Sequence, residues 1–260
     1  MKIAIVLTNY NNSKLTCDAV KSILDQRSHD CKIVIVDNDS DEQNKNILNS
    51  LSADFESVKV IYNEKNSGYF GGLNVGIIWL KNNAPKYKHL VIGNNDVVFS
   101  SDFLNSIENK SNLFDKYPII SPNIITVDGF HQNPHVINSI SMFREIIYDI
   151  YHSSYFLSKI VLKIAKLTKS FSSRGDERQH KHAQEIYQGY GAMYILGPLF
   201  FDNFDMLWAP TFLTYEEFFL SKQISDKGFK IYYEPSIKLT HLLHASTDML
   251  PSRQKWEFSK

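Results

Sequence analysis

The stretch Leu90–Phe99, LVIGNNDVVF, decides the fold. Leu90 to Gly93 is an apolar run of the kind expected for a buried strand. It stops at three small polar residues, Asn94, Asn95 and Asp96, before Val97, Val98 and Phe99 resume the apolar character. A buried strand seldom ends this way, because desolvating an ionised aspartate is costly unless something pairs with it. A divalent cation is one such partner, since hard cations prefer oxygen ligands. A polar β-turn with Asn and Asp in their ordinary turn roles is the other reading. The carboxyl end of a strand in an α/β sheet is also where a ligand crevice is expected.

Working outward, the first hundred residues alternate regularly. Strands are predicted at Ile3–Leu7, Lys32–Val36, Val58–Tyr62 and His89–Gly93. Helical spacing is seen over Ser13–Asp25, with Ser13 as N-cap, and over Asp41–Leu51 and Gly71–Asn82. Strands alternating with helices imply βαβ units, hence an α/β fold with a mostly parallel, Rossmann-like central sheet flanked by helices. After Pro122 the character changes. Ser141–Lys169 reads as helix, with lysines between the apolar residues of its second half, and Ser170–His182 reads as a mobile polar loop. Glu216–Lys227 has helical spacing with Gly228 as its stop. Lys230–Tyr233 and Ile237–Thr240 read as two short strands.

Each of the first four strands is followed by a polar group: Thr8-Asn9-Tyr10-Asn11-Asn12, Asp37-Asn38-Asp39-Ser40, Asn66 to Asn74, and Asn94-Asn95-Asp96. Any one alone is an ordinary loop. In a parallel sheet all four share one edge, and jointly they suit a nucleotide. Asp37 can accept from a base N–H, and Asp39 from a ribose hydroxyl. Tyr10 offers an aromatic face or edge to the base. Gly68, Gly71 and Gly72 let backbone approach a ligand closely, and the helix start offers N–H donors to an anion. The glycines follow the third strand and lack G-x-G-x-x-G order, which argues against a dinucleotide-binding site, and no P-loop is present.

The segments TNYN, VDNDS, NSGYFGGLNVG and GNNDVV, in this order and spacing, resemble the nucleotide-sugar half of family 2 inverting glycosyltransferases of the GT-A fold. Gly189–Tyr194 resembles the acceptor-side glycine-alanine segment of that family. Phe212–Glu217 resembles the stretch that carries its catalytic base, and Lys227–Pro235 followed by His241 its closing strands and metal-site histidine. The likeness covers Lys2–Phe99 and Gln188–Ser246 and is nearest to the rhamnosyl- and galactosyltransferases of bacterial surface polysaccharides.

The resemblance implies one GT-A catalytic domain over 1–260. Its parts are a nucleotide-sugar half (1–100), a connecting region (101–140), a helical insertion and mobile loop (141–182), an acceptor half (183–246) and a C-terminal tail (247–260). It implies donor binding by Thr8, Tyr10, Asn11, Asp37, Asp39, Asn66, Gly68, Gly71, Asn74, Asn94 and Asn95, with Gly191 and Ala192 on the acceptor side. A divalent metal, Mn2+ or Mg2+, would be held by Asp96 and His241, with His244 near enough to compete. Glu217 is the candidate general base and Glu216 the neighbouring possibility; acids at a solvated helix start are the ordinary alternative. Three positions depart from the family pattern: Asn94 and Glu217 stand where it has Asp, and Phe219 where it often has a further acid. The implied reaction is inverting transfer of a sugar from a UDP- or dTDP-sugar to a glycan or lipid-linked glycan. The implied partners include no nucleic acid.

Two rivals stand beside this reading. A sugar-phosphate nucleotidyltransferase would show a basic, glycine-rich loop after the first strand, and Thr8–Asn12 has neither glycine nor arginine. An inactive glycan-binding or assembly subunit would account for Asn94 and Glu217. Amphipathic helices usually face a core, so packing is the expectation for 141–169. Their lysines and aromatics also allow peripheral contact with a membrane. Formal net charge is zero, which gives no global attraction to nucleic acid or an anionic surface. Cys17 and Cys31 fit no disulfide framework, and neither a signal peptide nor a spanning helix is evident, so a cytoplasmic protein, peripheral at most to the inner membrane face, is expected.

Overall fold

The computed structural model describes residues 3–26, 31–83, 87–139, 142–167, 175–242, 253 and 256. Strand β1 (Ile3–Asn9) lies between β2 (Cys31–Asp37) and β4 (His89–Asn94), parallel to both, and β3 (Val58–Tyr62) pairs parallel with β2. Period-two alternation divides β1 between two cores. Ile3, Ile5 and Leu7 face the helices α1 (Ser13–Leu24) and α2 (Glu42–Asp54), while Ala4 and Val6 face α3 (Tyr69–Asn83). The predicted strands and helices of this half are all present, the strands β1, β2 and β4 running one or two residues further toward the polar edge. Ser13 is not the N-cap of α1. Asn12 holds that place, and the Ser13 hydroxyl instead accepts from Asn9 Nδ2 at 3.2 Å.

The second half adds β5 (Val97–Phe99), α4 (Phe103–Asn109), β6 (Ile119–Thr126), α5 (Met142–Ser153), α6 (Tyr155–Leu167), β7 (Gln184–Ile186) and β8 (Met193–Leu196). They are followed by α7 (Pro198–Asn203), α8 (Glu216–Ser225) and β9 (Ile231–His241). The sheet order is β3-β2-β1-β4-β8-β6-β9-β5, with β7 also on β9. Here β8 runs antiparallel to β4 and β6, and β9 runs parallel to β6 but antiparallel to β5 and β7. The parallel reading thus holds for the first four strands, and the complete sheet is mixed.

Three sequence expectations are corrected here. The two short strands at 230–240 are one continuous strand, β9, because a register shift against β6 between Pro122 and Asn123 absorbs the interruption at Pro235. The described part of the expected loop, 175–182, is tied down. His180 stacks on His131 at 3.7 Å, its carbonyl accepts from the Tyr233 hydroxyl, and the Asp176 carboxylate accepts from the Ile137 N–H; Ser170–Arg174 lie outside the described residues. The helical pair α5–α6 leaves part of its apolar stripe uncovered: Phe156, Ile160 and Ile164 are exposed, while Ile147 and Val161 are half-buried. Among the described residues no helix is long and apolar enough to cross a membrane.

Candidate active site

Chain order reverses between β1 and β4, since β2 and β3 extend one side of β1 and β4 joins the other. A crevice is expected at the carboxyl ends of strands at such a switch point. A cleft of about 510 Å³ opens there, with Thr8, Asn9 and Tyr10 from the end of β1 and Asn94, Asn95 and Asp96 from the end of β4. Asn38, Asn66 and Gly68 line it from the loops after β2 and β3, and Tyr69 from the start of α3. Tyr190, Gly191, Ala192, the 212–214 loop, Glu216, Glu217 and His241 close it from the second half.

Beneath the cleft, a buried polar network ties the strand ends together. Asn9 Nδ2 donates to Asp37 Oδ1 at 2.7 Å and to Ser40 Oγ at 3.1 Å, while Asn9 Oδ1 accepts from Thr16 Oγ1 and from Asn95 Nδ2. Asn95 Nδ2 also donates to Thr16 Oγ1 at 2.7 Å. Every member satisfies its neighbour, which is what makes such a network stabilising rather than costly. At the next loop, Gly68 adopts φ +79°, and a Cβ there would fall 2.1 Å from the Phe212 carbonyl oxygen. Glycine is therefore required where the loop after β3 meets the 212–214 segment.

The carboxylates sit at the start of α8. Thr214 and Tyr215 immediately before it are both left-handed, at φ 75° and 63°. Two consecutive non-glycine residues in this region store backbone strain that the surroundings must hold. Glu216 is buried, and desolvation first, then the charge of Glu217, pushes its pKa up to about 8. Burial also raises the pKa of Glu217. The Glu217 carboxylate lies against Gly191, where a Cβ would stand 3.2 Å from Oε2. The Tyr69 hydroxyl donates to the Gly191 carbonyl at 2.7 Å. Burial, followed by Glu216, Asp96 and Glu217, holds the Tyr69 phenol protonated.

Across the cleft, His241 Nε2 stands 3.2 Å from Asp96 Oδ1, without the alignment of a hydrogen bond. Strand pairing sets this approach, because Val97 pairs with His241 and the Leu242 N–H donates to the Asp96 carbonyl. His241 Nδ1 lies 2.9 Å from Gln132 Oε1. An amide oxygen only accepts, so Nδ1 donates to Gln132, which leaves Nε2 facing Asp96. Gln132 also hydrogen-bonds the Tyr190 hydroxyl, and the neighbouring Asn133 accepts from the Tyr190 N–H.

The sequence profile of glycosyl transferase family 2 matches residues 4–145, more than half of the chain. The chain belongs to glycosyl transferase family 2. A curated relative, an uncharacterised glycosyltransferase of Nostoc sp. (strain PCC 7120), is 32% identical over 77 residues, 29% of this chain and 24% of that protein. Among solved structures, S. aureus TarS 1–349 in complex with UDP-GlcNAc is similar with a TM-score of 0.64. The identity is 13%, over 98% of this chain and 63% of that one. The mannosyltransferase PcManGT from Pyrobaculum calidifontis, in complex with GDP-Man and Mn2+, gives a TM-score of 0.59 at 10% identity, over 94% and 58%. At such identities the likeness establishes the fold, the GT-A fold. The chain spans about a quarter of the curated relative and under two thirds of these two solved chains.

Of the residues that the sequence of this family 2 protein singled out, Thr8, Tyr10, Asn66, Gly68, Asn94, Asn95, Asp96, Gly191, Ala192, Glu216, Glu217 and His241 all line the cleft. Five do not. Asp37 is wholly buried, and its carboxylate is engaged by Asn9 and Ser40 beneath the cleft floor. Asp39 turns outward in a left-handed conformation toward Lys45, 3.9 Å away. Asn11 binds Ser40 and Asp41 at the rim. Gly71 sits against Ser67. Asn74 clamps Leu207, donating to its carbonyl and accepting from its N–H, both at 2.9 Å. The sequence reading missed Gln132 and left Asn38, Tyr69 and Tyr190 without roles. The last three stand inside quoted motifs, whereas Gln132 lies in the region where the resemblance lapses. His244 is outside the described residues.

Asp96 Oδ1, buried and without an aligned donor among the described residues, and His241 Nε2 facing the same point fit a divalent cation. Among the described residues no group of three or more His, Cys, Asp or Glu forms a cage. Two protein ligands, with water and phosphate oxygens completing the shell, is the habit of Mg2+-like ions at nucleotides.

Proposed function

We propose that the chain transfers a sugar from a UDP- or dTDP-sugar to a hydroxyl of a glycan or lipid-linked glycan, with inversion at the anomeric carbon. The observation that carries this reading is one cleft that joins the nucleotide edge of the sheet, the Asp96–His241 pair and the Glu216–Glu217 carboxylates. Thr8, Tyr10 and Asn38 would hold the nucleoside, with the exposed Tyr10 ring as its platform. A divalent cation at Asp96 and His241 would neutralise charge on the departing diphosphate. Glu217 would take the proton from the attacking hydroxyl, which displaces the nucleotide in one step. Glu216, with its pKa near 8, keeps its own proton at neutral pH and leaves the charged role to Glu217. Cys17 and Cys31, thiols rather than disulfide halves, accord with a reducing compartment, the cytoplasm.

The test is nucleotide release from UDP- and dTDP-sugars with Mn2+ or Mg2+. Release by the wild type and its loss in Asp96→Ala support the reading; no release with any donor favours an inactive binding subunit. Glu217→Gln is expected to retain donor affinity by calorimetry and to lose transfer by a factor of about 10²–10⁴. Full transfer activity in that variant eliminates Glu217 as the base.

A further inference from the structure

We propose that α5 and α6 form a docking face for an anionic lipid bilayer. In a helix that packs on a core, the apolar stripe is buried and the polar residues face water. In α6 the arrangement is inverted. Phe156, Ile160 and Ile164, spaced four residues apart along one face, are 72%, 40% and 55% exposed, whereas Ser158 is 2% exposed. Leu157 and Leu162 are exposed as well, as are Ile146 and Ile150 on α5. Beside the stripe, Lys159 and Lys163 are also exposed. From Tyr155 to Lys169 the sequence has four lysines and no acidic residue. An apolar stripe bordered by lysines on an acid-free helix is the chemistry of a segment lying in a lipid interface, its apolar side chains among acyl chains and its ammonium groups at anionic head groups.

Charge argues against the other occupants. A second copy meeting α6 against α6 would set the same lysines against one another, and like charges across an interface are costly; the acids of the pair, Glu145 and Asp149, are on α5. A nucleic acid would leave the isoleucines and Phe156 facing polar phosphates. The face is also joined to the cleft. The His152 ring of α5 meets the Tyr215 ring edge-on at 5.0 Å, and Tyr215 is the residue that starts the helix carrying Glu216 and Glu217. Trp256 bridges the two helices, its indole N–H donating to the Tyr151 carbonyl and its ring packing on Tyr155. α5 therefore touches the residue that immediately precedes both glutamates. The proposal stands on this surface and does not depend on the donor or acceptor assigned above.

Flotation with phosphatidylcholine vesicles, with and without phosphatidylglycerol, tests it. The wild type is expected to float only with phosphatidylglycerol, and less at high salt. Phe156→Ser/Ile160→Ser/Ile164→Ser is expected to weaken binding at least about tenfold, and Lys159→Gln/Lys163→Gln about 30-fold. These positions lie outside the cleft, so nucleotide release in solution and thermal unfolding are expected to match the wild type, which excludes misfolding as the cause. Absence of flotation, equal flotation of all three proteins, or a dimer broken by the triple serine variant without vesicle binding overturns the docking face. The expected flotation pattern without nucleotide release from any protein supports the face and overturns the enzyme reading instead.

Discussion

His241 reaches the cleft with one ring nitrogen already engaged, and the residue that engages it, Gln132, belongs to no motif. Removing the acceptor with Gln132→Leu frees the tautomer, and Mn2+ affinity in the presence of UDP should fall about 10- to 100-fold in a paramagnetic-resonance titration. Gln132→Glu keeps an acceptor and should restore most of it; equal affinity in all three proteins would remove the role. Glu216 makes a separate prediction. Its folded pKa of about 8 lies above the ordinary 4.5, so its contribution to stability is complete below pH 4.5 and declines as pH rises toward 8. Glu217 is shifted in the same direction. The unfolding temperature of Glu216→Gln relative to wild type should therefore rise across that window in scanning calorimetry, and a flat difference would contradict the burial cost. At this scale the sequence was informative where polar residues end strands, as at Asn94–Asp96. It was misleading at Asp37, because a carboxylate at a strand end looks the same whether it faces a ligand or a buried asparagine. The Asn9 amide that decides between them is visible only in the fold.

Among the elements, the helices and strands of the first hundred residues were legible because each has a strong period and a clear polar stop. β9 was misread as two strands because Pro235 interrupts its pattern, while the partner β6 supplies the compensating register shift from far away in the chain. α6 showed its periodicity plainly, but periodicity names a stripe and not what covers it. The junction of α3 and β1 offers a test of packing against propensity. Gly76 lies mid-helix, where alanine would ordinarily gain about 1 kcal/mol. A Cβ there would stand 2.4 Å from Val6 Cγ1, and a β-branched neighbour has little freedom to yield. Overpacking costs about 1–3 kcal/mol, so Gly76→Ala is expected to lower stability in urea titration; a rise would mean that α3 can shift away from the sheet.

Across the whole molecule, the cleft takes its floor from the first half of the chain and its glutamates and His241 from the second. A nucleotide with a cation would thus fasten both halves at once. At a ligand concentration of 100 Kd, binding stabilises by about 2.7 kcal/mol, a rise of roughly 5–10 °C for a chain of this size. UDP with Mn2+ should give that shift and excess chelator should reverse it; no shift would mean that the cleft does not take the pair. The loops after the first four strands made the polar edge of the cleft readable, because local spacing carries it. The closing wall was not, because it depends on which distant strands pair. One consequence reaches back to synthesis. Asp96 and His241 meet only through the ladder between β5 and the last residues of β9. A ribosome must deliver nearly all of the described chain before both side chains exist to share an ion. A cation held by this pair would therefore report the final closure of the nascent sheet, and could not seed its folding.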